Sequence, residues 1–289
     1  MHGHVLHNQH IVPLERIRLS PGQAGLLSGW GLFTTMRVYD GQMFAFERHW
    51  ARLERDARKI DLSLPISSEL AMPALRELLS TNRVESGCLR VYFIYNRIGF
   101  WKSGETMPEV DFLAYTTDLP SRQGAVRLAL AEQGRHAAHP LTGTKVTSWL
   151  PNVWSLKRAG DRGFDEVILL NEHAEVAECT AANVFVCREG EVRTPPLSSG
   201  CLAGVTREIL LEEAPGAGVK IVEAKITARD LERADEIFIS STTREVQPVQ
   251  AIESRALPHA PGPLTTRLKD LFGRYVRDYL SKRARSHVS

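Results

Sequence analysis

The sequence predicts a two-domain protein of mixed α/β (α+β) class, on three observations. The chain has 289 residues, more than the roughly 100–200 that one domain usually occupies. Short β-rich runs alternate with segments of helical periodicity, so neither kind of element fills the chain. A stretch of linker chemistry, Asp118-Leu119-Pro120-Ser121-Arg122-Gln123-Gly124, divides the pattern, with Pro and Gly bracketing polar residues. The expected layout is a small N-terminal α/β domain over 1–119, a linker over 120–124, and a larger β-rich C-terminal α/β domain over 125–289.

His4 to Pro13 reads as a hairpin turning at Asn8-Gln9, because Asn tolerates turn backbone. Gly31–Tyr39 and Met43–Phe46 are β-rich runs joined by the turn signal Asp40-Gly41. Phe46, Trp50, Leu53, Ala57 and Ile60 then recur at helical spacing, the mark of an amphipathic helix. Arg52 falls off that apolar stripe, free to face elsewhere. A second helix follows Ser67-Ser68 through Leu70, Leu75 and Leu78, and strands return at Leu89–Tyr95 and Phe112–Tyr115. Beyond the linker come a strand at Val126–Ala131, a helix over about 152–162, and strands at Glu166–Leu170, Val176–Glu178, Asn183–Cys187 and Glu191–Thr194. A helix opens at Gly204-Val205-Thr206, and a strand covers Glu236–Ser240. The last helix carries Leu264, Leu268, Leu271, Tyr275, Val276 and Tyr279. Its basic tail, Lys282-Arg283-Ala284-Arg285, reads as a frayed, solvated end.

Composition narrows the function. The hydrophobic fraction of 43% and charged fraction of 24% are ordinary for a globular protein and exclude disordered or collagen-like chains. Lys+Arg number 36 against 34 Asp+Glu, and a net charge of +2 argues against a nucleic-acid partner, which needs a concentrated basic face. No apolar run approaches the roughly 20 residues of a membrane helix, and Met1-His2-Gly3-His4 lacks signal-peptide character. A cytoplasmic protein is expected. Cys88, Cys179, Cys187 and Cys201 form no CxxC pair, which fits thiols in a reducing compartment. His2, His4, His7 and His10 look superficially like a metal cluster. Their spacing fits no helical pair, and no cysteine or carboxylate is near in sequence, so a solvated strand is expected and no metal.

Four places could carry chemistry. Gly204-Val205-Thr206 opens a helix whose amides and dipole suit an anion, although Thr206 read by itself is better explained as the helix cap. Ser240-Ser241-Thr242-Thr243 ends a strand with a row of hydroxyls, an anchor for a polar group or simply a turn. Lys145 has apolar or hydroxylic neighbours in Gly143-Thr144-Lys145-Val146-Thr147-Ser148-Trp149, and desolvation there would make its amine a competent nucleophile. Glu178, among small residues, needs a cation or an N–H donor as its partner.

A helical arginine, a lysine, a glutamate, a Gly-x-Thr helix start and a Thr-Thr strand end follow one another here in the order used by class IV, or fold type IV, pyridoxal-phosphate enzymes. That family includes branched-chain and D-amino-acid aminotransferases and 4-amino-4-deoxychorismate lyases. The chain resembles them from about Asn8 to Leu271, through GWGLFTTMRVYDG (29–41), HWARLERDARK (49–59), residues 144–186, TPPLSSGCLAGVTRE (194–208) and DEIFISSTTREVQPV (235–249). The resemblance implies that Lys145 holds pyridoxal 5′-phosphate as a Schiff base and shuttles a proton. It implies that Glu178 faces the pyridine nitrogen, that Arg52 binds the phosphate with Val205, Thr206 and Thr242, and that Leu202 packs on the ring. Phe33, Arg90, Arg97 and Thr243 fall at the substrate. A homodimer is implied as well, with the cofactor in the cleft between the two domains.

The pocket departs from each subfamily. The Phe-Glu-Gly of branched-chain enzymes is Phe33-Thr34-Thr35, and their Tyr-x-Arg is Cys88-Leu89-Arg90. The Arg-x-His of D-amino-acid enzymes is Arg97-Ile98-Gly99, and the common Gly-Asp-Gly is Gly29-Trp30-Gly31. A phenol of the branched-chain enzymes falls on Leu150, while Trp30, Trp101 and Trp149 suggest a bulky, partly aromatic pocket. The expected activity is amino transfer from an amino acid, branched-chain or otherwise apolar, to a 2-oxo acid. The alternative, motivated by Phe33-Thr34-Thr35, is a lyase that makes 4-aminobenzoate and pyruvate.

Overall fold

Asn8 takes φ 57 and turns the chain between β1 (His4–His7) and β2 (His10–Pro13), so the first hairpin forms where the sequence predicts it. The computed structural model describes residues 1–96, 108–121 and 124–285; Arg97 and Trp101 lie outside them. The chain divides into two units. The first comprises Met1–Pro120, Thr144–Trp149 and the chain from Tyr279, and the second Ser121–Gly143 and Leu150–Asp278. Lys145, expected with the C-terminal domain, therefore belongs to the first unit.

In that unit α1 (Ala24–Ser28) precedes β3 (Gly31–Tyr39) and β4 (Gln42–Met43). The predicted strand ends at Met43. Ala45, at φ 53, redirects the backbone, and Phe46 starts α2 (Phe46–Lys59) instead of closing a strand. α3 (Ser68–Thr81), β5 (Gly87–Tyr95) and β6 (Val110–Thr117) complete an antiparallel sheet of order β2-β1-β6-β5-β3-β4. Strand alternation sends Leu32, Met36 and Val38 into a core shared with Trp50 and Leu53 of α2 and Leu75 and Leu78 of α3. Each such fully buried leucine contributes roughly 1.5–3 kcal/mol. Phe33 and Thr35 take the opposite face. The basic tail is not frayed. The last helix, α7 (Pro263–Arg285), ends with Tyr279 edge-on to Phe44 at 5.1 Å, and Tyr279 and Arg283 both donate to Glu47 at 2.9 and 2.6 Å.

The second unit is built on a nine-stranded sheet. Its elements are β7 (Val126–Ala131), α4 (Leu150–Gly160), β8 (Glu166–Leu170), β9 (Val176–Cys179), β10 (Asn183–Arg188), β11 (Glu191–Thr194), α5 (Val205–Glu213), β12 (Ile221–Glu223), α6 (Ala228–Glu232), β13 (Glu236–Ser241), β14 (Glu245–Ile252) and β15 (Arg255–Ala256). The strand order is β12-β11-β10-β13-β14-β7-β8-β9, with β15 on β14. Leu128, Ile168, Val184, Ile237 and Val249, one from each of five strands, meet in the apolar core. The register sets two candidate positions: Asn183 pairs with Ser240 just before the Thr242–Thr243 turn, and Glu178 pairs with Leu169.

Candidate active site

Lys145 is held by its main chain. Its carbonyl accepts from the Phe33 amide at 3.0 Å, its own amide donates to Asp56 Oδ2 at 3.1 Å, and Val146 bridges Leu32. Two glycines let this segment lie against β3. A Cβ on Gly29, at φ +71, would come within 2.6 Å of Ser148 Cβ, and one on Gly31 within 2.6 Å of the Phe93 carbonyl and 3.0 Å of Thr147 Oγ1. The Gly29-Trp30-Gly31 run is thus explained by close approach. Lys145 Nζ stands 4.5 Å from the Phe33 ring centroid. Phe33 stacks on Tyr92 at 5.5 Å and meets Trp149 edge-on at 5.9 Å, so an aromatic wall adjoins the amine.

Arg52 lies off the apolar stripe of α2, as expected, yet not in solvent. It is buried, with His49 three residues before it and Asp56 four after, which puts all three on one stripe. Arg52 Nη2 donates to Thr34 Oγ1 at 2.9 Å, and Thr34 Oγ1 lies 2.9 Å from His49 Nδ1. Arg52 Nη2, which can only donate, also lies 3.5 Å from His49 Nδ1, an arrangement that suits a neutral ring accepting at Nδ1 with its proton on Nε2. His49 and Asp56 escaped the sequence reading; their spacing from Arg52 was the available signal.

If Arg52 binds the phosphate as the resemblance implies, Thr34→Val, which keeps the shape and removes this hydroxyl, is expected to loosen Arg52 and weaken pyridoxal-phosphate binding about tenfold. Thr34→Ser should restore it, which titration of the apoprotein would check.

His49 is held well below its ordinary value, first by burial and then by the positive charges of Arg52 and Lys145. The folded ring stays neutral where the unfolded chain, near pH 6.5 and below, takes up a proton. The stability this contributes is complete above about pH 6.5 and falls as pH drops, by up to about 1.4 kcal/mol per unit. Urea unfolding at two pH values straddling that point should show this loss in the wild type and not in His49→Asn.

In the second unit Glu178 has both partners its burial requires. Arg135 Nη2 donates to Oε1 at 2.8 Å, and the Leu202 amide donates to Oε2 at 3.0 Å. Arg135 reaches it from a loop tied down by Glu172, whose carboxylate accepts the Ala137 and Ala138 amides at 2.7 and 3.2 Å. Those bonds, Ala137 foremost, pull Glu172 down to about 2. Cys201, beside Leu202, is pushed up to about 12 by burial and then by the charge of Glu178, so it remains a thiol.

Two residues beyond Leu202, Gly204 caps α5 with no side-chain hydrogen bond. The expectation that Thr206 is the cap is therefore corrected: Thr206 lies inside the first turn. Glu208 is the first amide to bond back, to the Gly204 carbonyl at 2.9 Å, which leaves the amides at 205–207 directed outward without intrahelical acceptors. A Cβ at position 204 would overlap Asn183 Oδ1. Asn183 also donates to the Leu202 carbonyl at 2.9 Å and pairs with Ser240. Asn183 thus joins the Leu202 loop, the start of α5 and the strand leading to Thr242 and Thr243; nothing local in the sequence marks it.

The structure thus brings Arg52, Lys145 and Phe33 together in the first unit, and Glu178, Leu202, Val205 and Thr206 in the second. Arg90, opposite Thr35 on β5, is held by the phenols of Tyr92 and Tyr115. Burial first, then Tyr92, pushes Tyr115 up to about 12. Two of the four N-terminal histidines do meet carboxylates: His7 lies 3.3 Å from Asp111 and His2 3.2 Å from Asp118, partners distant in sequence. The donor set fits pyridoxal phosphate: an amine for its aldehyde, a buried carboxylate for its ring nitrogen, and an arginine and an uncapped helix start for its phosphate.

Residues 31–252 match the family model described as amino-transferase class IV. A putative branched-chain-amino-acid aminotransferase of Methanocaldococcus jannaschii is 28% identical over 92% of this chain and 93% of its own. A D-alanine aminotransferase of Listeria monocytogenes (serotype 1/2a, strain 10403S) is 30% identical over 93% of this chain and 94% of its own. The branched-chain aminotransferase of Thermoproteus uzoniensis, solved with norvaline, superposes with a TM-score of 0.87 at 26% identity, over 98% of this chain and 97% of that one.

Proposed function

Since the chain belongs to the class IV aminotransferase family, whose members use pyridoxal phosphate, we propose that Lys145, Glu178 and Arg52 hold that cofactor for transfer of an amino group from an apolar amino acid to a 2-oxo acid. The observation that carries this reading is Glu178, a buried carboxylate fixed by the Leu202 amide in the loop that leads into the uncapped start of α5. When bound, the cofactor supplies an aldehyde that exchanges amino groups and a ring that accepts the electron pair of the substrate Cα–H bond.

Lys145 is the amine that engages the aldehyde and carries the Cα proton. Glu178, oriented by Arg135 and the Leu202 amide, holds a proton on the ring nitrogen. Arg52, the amides of Val205 and Thr206, and the hydroxyls of Thr206 and Thr242 bind the phosphate, and Leu202 packs against the ring. Phe33, Arg90 and Thr243 receive the substrate, with Arg97 assigned there by the resemblance alone. The apolar preference is supported by the aromatic wall of Phe33, Tyr92 and Trp149. The named sequence relatives are aminotransferases, which favours transamination over the lyase alternative.

The protein acts as a homodimer in this reading, supported by exposed Leu150, Val153 and Trp154 along one face of α4; sedimentation as a monomer at micromolar concentration would overturn that part. A cytoplasmic setting is supported by the four buried cysteines, none of which forms a disulfide. No helix among the described residues is long and apolar enough to cross a membrane.

Absorbance tests the reading. Visible absorbance acquired with pyridoxal phosphate should vanish on adding an amino donor and return with a 2-oxo acid. A screen of L-amino acids, D-amino acids and amines then identifies the donor. Protein that never acquires the absorbance would overturn the proposal. Pyruvate released from 4-amino-4-deoxychorismate without an acceptor would mark the lyase instead.

A further inference from the structure

Beneath the turn that joins β13 to β14 lies an ion pair removed from water. Arg244, 8% exposed, closes the turn, and Glu166, 0% exposed, sits at the start of β8. Arg244 Nη2 donates to Glu166 Oε2 at 3.2 Å and Nη1 to Gln247 Oε1 at 2.6 Å. The Arg244 amide donates to the Ser241 carbonyl at 3.2 Å and to Ser241 Oγ at 3.3 Å, which closes the loop around Thr242 and Thr243. At the other end, Glu166 Oε1 accepts the Val167 amide at 3.0 Å and the Thr180 hydroxyl. Thr180 lies two residues beyond Glu178, and its amide donates to the Val167 carbonyl at 3.1 Å.

Burying two charges is costly, and an apolar pair of similar volume commonly stabilises a fold as well. An ion pair with several hydrogen bonds adds direction, because a guanidinium with two acceptors has one orientation. We propose that the Arg244–Glu166 pair is a positioning device that fixes the Thr242–Thr243 turn relative to the Glu178 corner. It thereby sets the spacing between the group that binds the cofactor's phosphate and the one that meets its ring nitrogen. This rests on the cofactor roles given above for Thr242 and Glu178. Arg244 and Glu166 touch neither cofactor nor substrate; they act through the turn and the strand that they join.

The test compares equilibrium binding of pyridoxal 5′-phosphate and of pyridoxal, which lacks the phosphate, in the wild type, Arg244→Met, Arg244→Lys and the double variant Glu166→Gln/Arg244→Met. Arg244→Met strands a buried carboxylate and risks misfolding. The double variant removes both charges together, and the Gln oxygen can still accept from the Val167 amide and the Thr180 hydroxyl. Thermal melting confirms that each variant is folded. Affinity for pyridoxal phosphate should fall about tenfold or more in the folded double variant, while pyridoxal affinity stays within about twofold. Arg244→Lys should recover part of the loss. An unchanged ratio of the two affinities in the folded double variant, or equal losses for both ligands, would overturn the proposal. A wild-type protein that binds pyridoxal phosphate no better than pyridoxal would overturn the cofactor reading itself, and this proposal with it.

Discussion

Lys145→Ala is expected to lower transamination turnover by about 10⁴-fold or more while leaving the fold intact. Both parts follow from how the residue is held. Its segment is fixed by the Lys145 amide on Asp56 and by the Lys145 carbonyl under the Phe33 amide, and these bonds survive removal of the side chain. In the proposed role the side chain supplies the amine that serves as nucleophile and as proton carrier, and losing both would remove a covalent and an acid–base contribution together. Thermal melting of the variant should match that of the wild type apart from any stability added by the bound cofactor. Near-normal turnover would contradict the assignment of Lys145.

Glu178→Gln should cost about 10²- to 10³-fold in turnover, the range typical of losing one well-placed electrostatic partner. The amide keeps the volume and one acceptor oxygen, but Arg135 and the Leu202 amide both donate to the native carboxylate. With one oxygen and one NH₂, glutamine can satisfy only one of them. A neutral side chain also gives up the charge proposed to keep a proton on the ring nitrogen. Turnover should fall with little change in the substrate KM; a rise in KM at unchanged kcat would point to a substrate-binding role instead.

Much of the fold was legible where a periodic pattern ran long enough. The apolar spacing of Phe46 to Ala57 predicted α2, and Gly31–Tyr39 was predicted at its observed limits. The five-residue helices α1 and α6 are too short to show a period. β14 contains Pro248, a residue that argues against a strand, yet it pairs Phe238 with Pro248 and lies inside the sheet. The domain reading followed chain order, while Thr144–Trp149 joins the first unit through bonds to Gly31, Phe33 and Asp56, residues about a hundred positions earlier. Of the candidate site, the groups with distinctive chemistry were visible: an amine among apolar neighbours, a carboxylate among small ones, a helix opening on glycine. Their supports were not. Thr34, His49, Arg135, Asn183 and Arg244 are ordinary residues in sequence, and their importance lies in contacts with partners that only folding brings near.

In the proposed site the amine of Lys145 holds pyridoxal phosphate. Borohydride treatment of the cofactor-loaded protein makes a carbonyl–lysine linkage permanent, and peptide mapping by mass spectrometry then locates it. The linkage is predicted on the peptide containing Lys145 and should be absent from Lys145→Ala. A permanent adduct on another lysine, or none on loaded wild-type protein, would contradict it.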